Sequence, residues 1–367
     1  MKFTALPVKQ GDSFLLKSDD KYLLVDGGGN QKHILTLLNN EKIKNKHIHY
    51  LACTHYDSDH YKGITGILKS GYFTFDELWL PEITGNIGYT INKIFYDILD
   101  YWKHHQKEIN EMALDKKNGN RKKNTISRIN NESKKEIENY ERSVTNSIKI
   151  ISENITRENF EIEDTLQLVN QITPSKLNKD LFQKLAEFCI ISKHTINTGK
   201  KIIWLEYCAS KKHTFLGNNV YVENAIKSGI SCYSPYVFFK YLLLSKINQK
   251  SLVFCYDKKE TPNVLFTADS DLEFYKTPIV LNDHSIVTAP HHGSACNCKA
   301  YCKISGSDLI FVKGYNNKVK NLSSIFLWFT QKYCTRCNTN PTNKQKVDID
   351  YTKGIPPCVV GKPCICK

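Results

Sequence analysis

The chain has 367 residues, with 51 Lys+Arg against 37 Asp+Glu and a formal net charge of +14. Hydrophobic residues make up 41% and aromatic residues 11%, which excludes a disordered chain, and the length excludes a small stapled mini-protein. No apolar run reaches the roughly 18 residues of a membrane span, and the opening lacks a basic-then-apolar leader, so a cytoplasmic protein with no membrane partner is expected.

Residues 2–8, 13–18 and 22–25 read as short apolar strands, the last running into Asp26-Gly27-Gly28-Gly29. Asn30 can cap a helix to residue 40, in which His33, Ile34, Leu37 and Leu38 share one face. Residues 49–53 form another strand and lead straight into Thr54-His55-Tyr56-Asp57-Ser58-Asp59-His60. Ile64, Ile67 and Leu68 mark a short helix, and residues 78–80 a strand that Pro81 ends. From about residue 89 to 185 the texture changes to Lys, Asn, Glu and Ile with almost no Gly or Pro, and Ile91, Ile94, Phe95, Ile98 and Leu99 recur at helical spacing. That stretch is expected to be a helical insertion with a charged middle. Strand character returns at 201–208, 251–256, 264–268, 285–289 and 309–312, and residues 324–329 read as helix.

The run His55, Asp57, Asp59, His60 puts four metal-type donors in six residues, directly after an apolar strand. Divalent metals take imidazole and carboxylate ligands at about 2.0–2.2 Å, and alternate residues of a tight loop can converge on one side. Polar turn residues after a strand are common, but they account for one or two such side chains rather than four. Two distant segments repeat the pattern: one strand ends at Asp269, and another ends at Pro290 and delivers His291-His292-Gly293-Ser294. Ligands at strand ends facing one crevice are how α/β enzymes build sites.

Asp26-Gly27-Gly28, the His-x-Asp-x-Asp-His run, Thr267-Ala268-Asp269 and His291-His292-Gly293-Ser294 together resemble the ordered motifs of the metallo-β-lactamase-fold hydrolases. The opening Val8-Lys9-Gln10-Gly11-Asp12-Ser13 and Asn248-Gln249-Lys250-Ser251 are similar to the ComEC-type competence hydrolase domain and its stand-alone relatives. The resemblance covers residues 1–85 and 200–315. It implies an α/β fold, an αββα sandwich with a first half over 1–85 and a second half over 200–315; the helical insertion over 86–199 and the basic Cys-rich tail over 316–367 lie outside it and are read from composition and spacing.

The resemblance also implies a metal-dependent hydrolase with two divalent ions, Zn or Mn, and a hydroxide shared between them as nucleophile. His55 and Asp57 would bind the first ion. Asp59, His60 and one of His291 and His292, set down here as His291, would bind the second, with Asp269 between them. The other histidine, His292, would contact a phosphate or protonate a leaving group, so Asp59 and His292 are the candidate catalytic residues. Asp26 would orient the metal loop. Asp57 stands where many members have His, and His104, His105, His194 and His213 lie in no recognisable motif. A carboxylate-rich set shifts preference toward harder ions.

Residues 299–367 hold 12 Lys+Arg against 3 Asp+Glu, a net of +9, with Tyr301, Tyr315, Phe326, Trp328 and Tyr333 interleaved. Basic charge with aromatics suits nucleic acid, and a solvated lysine face with core aromatics is the plainer alternative. The favoured expectation is a phosphodiesterase or nuclease acting on nucleic acid or nucleotides. The alternatives are a partner-gated effector of a bacterial anti-phage defence system, docking a large protein through the insertion, and a small-molecule lactone or ester hydrolase.

The chain has 13 Cys, an odd number, read as reduced thiols or metal ligands. Cys334-x-x-Cys337, with Cys364 and Cys366 following, resembles a structural zinc site that would staple a tail poor in core residues.

Overall fold

A computed structural model gives the fold of residues 1–81, 200–227 and 251–366, other than residues 318, 338–341 and 343. The strands β1 (Lys2–Ala5), β2 (Phe14–Ser18) and β3 (Lys21–Val25) form an antiparallel meander. From there the pairing becomes parallel: β3 with β4 (His47–Ala52), β4 with β5 (Thr74–Pro81), and β5 with β6 (Lys201–Tyr207). Parallel neighbours need a crossover, and α1 (Gln31–Asn40) and α2 (Ser58–Ser70) supply the first two. Asn30 caps α1 by accepting the His33 N–H at 2.8 Å, and Gly71, at φ 60°, ends α2 in the left-handed region. The helical insertion expected over 86–199 falls between β5 and β6 and lies outside the described residues.

A second sheet holds β7 (Thr214–Gly217), β8 (Val220–Val222), β10 (Phe254–Tyr256), β11 (Val264–Phe266), β13 (Ile286–Thr288), β15 (Ile310–Lys313) and β16 (Lys332–Cys334). Its order is β16-β15-β13-β11-β10-β8-β7. β7 and β8 join through Asn218 and Asn219, at φ 48° and 59°, the two-residue hairpin turn that Asn favours. β9 (Ala225–Lys227) closes one edge of the first sheet, and β12 (Ile279–Val280) pairs with β14 (Ile304–Ser305).

The C-terminal residues differ from the tail that composition led one to expect. β17 (Val347–Asp350) pairs antiparallel with β1, and β18 (Cys358–Val360) pairs with β17, so the first sheet has nine strands. Residues 346–351 alternate polar and apolar, with Val347 and Ile349 fully buried, and that alternation earns them a place on a sheet edge despite the surrounding charge.

The strand period decides the layers. Phe3, Phe14, Val25 and Trp79 of the nine-stranded sheet meet Val222, Phe254, Phe266 and Val312 of the seven-stranded sheet in one core. Leu15, Leu24, Leu51 and Leu78 face the other way and are buried, as are Ile34, Leu38, Ile64 and Ile67 on α1 and α2. On the far face of the seven-stranded sheet, Val253, Leu265, Val287 and Phe311 pack with Tyr275, Tyr301 and Phe326, the last on α3 (Ser324–Trp328). Each such buried Leu or Phe contributes about 1.5–3 kcal/mol. The result is a mixed α/β architecture of two large sheets face to face. Among the described residues, no helix is long and apolar enough to cross a membrane.

Candidate metal centre

Three strands deliver the candidate donors from their C-terminal ends. β4 stops at Ala52, and His55 and Asp57 follow on the turn into α2. Asp57 occupies the N-cap position, yet its side chain makes no capping bond to the helix. Asp59 and His60 lie in the first turn of α2, where the helix dipole favours a carboxylate. Asp269 follows β11, and His291 and His292 follow β13. Asp26, Ala268, His291 and His292 hold φ between 48° and 58°, a left-handed conformation that costs non-glycine residues about 1–2 kcal/mol each. Such strain gathers at functional sites.

The side chains converge. Asp269 Oδ1 lies 3.5 Å from His60 Nε2 and 3.5 Å from His292 Nε2. Its other oxygen, Oδ2, lies 3.7 Å from His55 Nε2 and 3.5 Å from His291 Nε2. Asp59 Oδ2 is 3.5 Å from His292 Nε2, and Asp57 Oδ2 is 4.0 Å from His55 Nε2. These separations are long for hydrogen bonds. They suit atoms sharing an ion, because ligands at 2.0–2.2 Å in a tetrahedron stand about 3.3–3.6 Å apart. His55 Nε2, His60 Nε2, His292 Nε2 and Asp269 Oδ1 are buried without any hydrogen-bond partner. Four orphaned polar atoms aimed at one another are costly unless a cation satisfies them, so the residues present fit divalent ions.

Each histidine is oriented from behind. His60 donates its Nδ1–H to Asp26 Oδ2 at 2.7 Å. The same carboxylate accepts the Thr54 N–H and hydroxyl, both at 2.8 Å. Because the Thr54 hydroxyl proton is used there, its oxygen accepts from His55 Nδ1 at 3.0 Å. His292 Nδ1 donates to Asp12 Oδ1 at 3.1 Å. His291 Nδ1 donates to Asn297 Oδ1 at 3.0 Å, and Asn297 Nδ2 is held by the Asp269 and Ser270 carbonyls, which fixes the amide's direction. Every one of the four rings therefore presents a bare Nε2 inward, the pattern of a metal-ligating imidazole with its outer partner in place. Asp59 Oδ2 accepts from Asn316 Nδ2 at 2.8 Å.

The electrostatics run the same way. Burial alone would lower the His60 pKa, but the Asp26 and Asp269 charges outweigh it and push His60 up to about 10. His292 is likewise driven well up by Asp12 and Asp269 against its burial. Burial and the His60 charge drive His55 well down. Burial would raise Asp59, yet His292 and His60 hold it far below the carboxylate range. Burial raises Asp269. This is a field that demands positive charge at the centre.

Asp12 and Asn316 had no assigned role in the sequence reading. Asp12 stands out only afterwards, inside the Gly11-Asp12-Ser13 turn between β1 and β2. Gly11 is obligatory there: φ is 88°, and a Cβ would lie 1.6 Å from the Asp59 carbonyl oxygen. Asn316 carries no motif and reaches Asp59 only because the chain turns back after β15. Burial separates the two histidines of the pair. His292 is fully buried beside Asp59 and Asp269, whereas the His291 side chain is 23% exposed.

Residues 6–74 match the family model described as the metallo-beta-lactamase superfamily. The matched stretch contains Asp12, Asp26, His55, Asp57, Asp59 and His60, and stops short of Asp269 and the histidine pair. No curated protein matches the chain. Asp12, His60, Asp269 and His292 each bring one ligand atom within 4.8 Å of the others, a buried Asp/His cluster of metal-binding type. Over residues 6–74 the chain is therefore similar to the metallo-beta-lactamase superfamily, and its buried Asp/His cluster is of the kind that a metal-dependent hydrolase uses.

Proposed function

We propose that the protein is a two-metal phosphodiesterase acting on nucleic acid or nucleotides. The observation that carries this reading is the division of Asp269, whose two oxygens each face a different group of histidine Nε2 atoms. A carboxylate so placed suits two divalent ions side by side. His55, Asp57 and Asp269 Oδ2 would hold one, and Asp59, His60, His292 and Asp269 Oδ1 the other. Divalent ions held there would lower the pKa of water toward about 7 and stabilise negative charge on phosphoryl oxygens.

The chain's own residues do the rest. Asp26 and Asp12 keep the Nδ1 protons of His60 and His292 fixed, so neither ring can turn its bare nitrogen away. Asn316 holds Asp59 by one oxygen and so sets its approach to the centre. His291, partly exposed and oriented by Asn297, stands at the open side and, once protonated at Nε2, serves to contact a phosphoryl oxygen or protonate a leaving alkoxide. Asp57, whose side chain is 30% exposed, lies on the same open side. The net charge of +14 supports a polyanionic substrate, through attraction at the surface rather than through the chemistry.

The test is hydrolysis by the chelated and then Mn²⁺- or Zn²⁺-reloaded chain, offered single- and double-stranded DNA and RNA, bis(p-nitrophenyl) phosphate and a lactone. Cleavage of phosphodiesters that appears only on reloading is expected. Hydrolysis of the lactone alone would refute the substrate class.

A further inference from the structure

A second cluster lies away from the Asp/His centre. Cys334, at the end of β16, Cys337, three residues on, and Cys364 and Cys366, near the C-terminus, bring their Sγ atoms within 4.8 Å of one another. All four side chains are buried, with at most 9% exposure. The two stretches are tied by backbone and side chain. The Cys364 N–H donates to the Lys332 carbonyl at 2.7 Å, and Gln345 Nε2 donates to the carbonyls of Cys334 and Lys362 at 3.0 and 2.8 Å. Sulfurs bound to one zinc at about 2.3 Å lie about 3.8 Å apart; here the four lie within 4.8 Å, and Cys334 Sγ and Cys337 Sγ approach more closely, at 3.1 Å. Four thiols have no packing reason to face one another when surrounding apolar side chains could separate them. The buried Lys313 ammonium donates to the Arg336 carbonyl at 3.5 Å, inside the Cys-x-x-Cys turn, and is placed to offset the negative charge of a tetrathiolate.

The cluster also backs onto the other centre. Cys334 pairs with Lys313 across β15 and β16, and the Thr335 N–H donates to the Lys313 carbonyl at 3.1 Å. The Arg336 guanidinium, inside the Cys-x-x-Cys turn, lies 4.3 Å from the centre of the Tyr315 ring. Residues 314–316 run beside Asp12 and Asp59. The Tyr315 carbonyl accepts the Gly11 N–H at 2.6 Å, and Asn316 holds Asp59. At Gly314 a Cβ would lie 2.0 Å from Asp12 Oδ1, so only glycine lets the segment come so close.

We propose that Cys334, Cys337, Cys364 and Cys366 bind one structural Zn²⁺, and that this ion braces residues 313–316 against Asp12 and Asp59. Binding forms four Zn–S bonds and releases four thiol protons to solvent, with no change of oxidation state. The zinc half of the proposal stands independently; the bracing half rests on the metal-hydrolase reading.

The experiment uses the full chain. Co²⁺-substituted wild type and a His55→Ala/Asp269→Ala variant should both show thiolate-to-cobalt charge-transfer absorption, and Cys364→Ser/Cys366→Ser should lose it. An organomercurial titrated into native wild type should release one zinc as the four thiols react, a readout that needs no variant to fold. No charge-transfer band in wild type, or no zinc released, overturns the site. Bracing is read by Mn²⁺ affinity at the Asp/His centre, without substrate. Cys364→Ser/Cys366→Ser and Asn316→Ala should each weaken it about tenfold, Asn316→Ala with the cobalt band intact. Unchanged Mn²⁺ affinity in Cys364→Ser/Cys366→Ser, whatever Asn316→Ala does, overturns the brace. Loss of phosphodiesterase activity alone touches neither measurement.

Discussion

The two clusters make opposite uses of the same sheet architecture. The Asp/His centre gathers donors from three strand ends and leaves Asp57 and His291 partly open to solvent. The thiol cluster gathers four donors of one kind, all buried, with no position open. Catalytic metal sites keep a position for water or substrate, whereas structural ones are closed. The histidines of the first centre are each steered by an outer partner, a carboxylate, hydroxyl or amide. The thiol-bearing stretches are held together by a backbone bond from Cys364 to Lys332 and by the Gln345 side chain, which spans the carbonyls of Cys334 and Lys362.

That contrast can be broken experimentally, and the largest effect is expected at Asp269. Asp269→Ala should remove metal from the Asp/His centre and lower hydrolysis about a thousandfold or more, while circular dichroism stays native. Full metal content in that variant would dissolve the distinction between a bridged and a closed site. Next comes Asp26→Ala, which frees His60 and Thr54 together. Metal affinity should fall about 10- to 100-fold by equilibrium dialysis, with the thiol cluster's metal unaffected.

A pH experiment separates the clusters more gently. In the chelated protein His60 is raised from 6.5 to about 10. Its folded pKa exceeds its unfolded one, so its contribution to stability is complete below pH 6.5 and lost as pH rises through about 10. The melting temperature of chelated protein should therefore fall over that interval. Metal-loaded protein, whose imidazoles bind as neutral rings, should show little of this slope. The smallest effect belongs to Asn297→Ala, which releases the His291 ring and the carbonyls of Asp269 and Ser270 but no ligand atom of Asp269. Metal content should hold, and turnover should drop severalfold, a loss of about 1 kcal/mol.

Much of this was legible from local pattern. The His55–His60 run follows an apolar strand and opens a helix, and Asp269 and the histidine pair end strands of their own, so strand ends could be read directly. Asp12 and Asn316 were not legible as ligand partners. Each is a single polar residue in a turn, and only the return of the chain after β15 brings Asn316 to Asp59. The edge strand β17 did carry a signal, Val347, Ile349 and Tyr351 alternating with polar residues, but the surrounding lysines and cysteines masked it. The Asn218-Asn219 hairpin turn, which was not read from the sequence, owes its form to two Asn residues at positive φ. Which of His291 and His292 lies deeper depends on how the turn after β13 is wound, and no spacing rule reports that.

The central claim is that one carboxylate serves two divalent ions. Anomalous scattering from crystals of the Mn²⁺- or Zn²⁺-loaded chain tests it most directly. Two peaks about 3.5–4 Å apart, one on each oxygen of Asp269, are predicted. A single peak, or two peaks of which neither touches Asp269, would contradict the account.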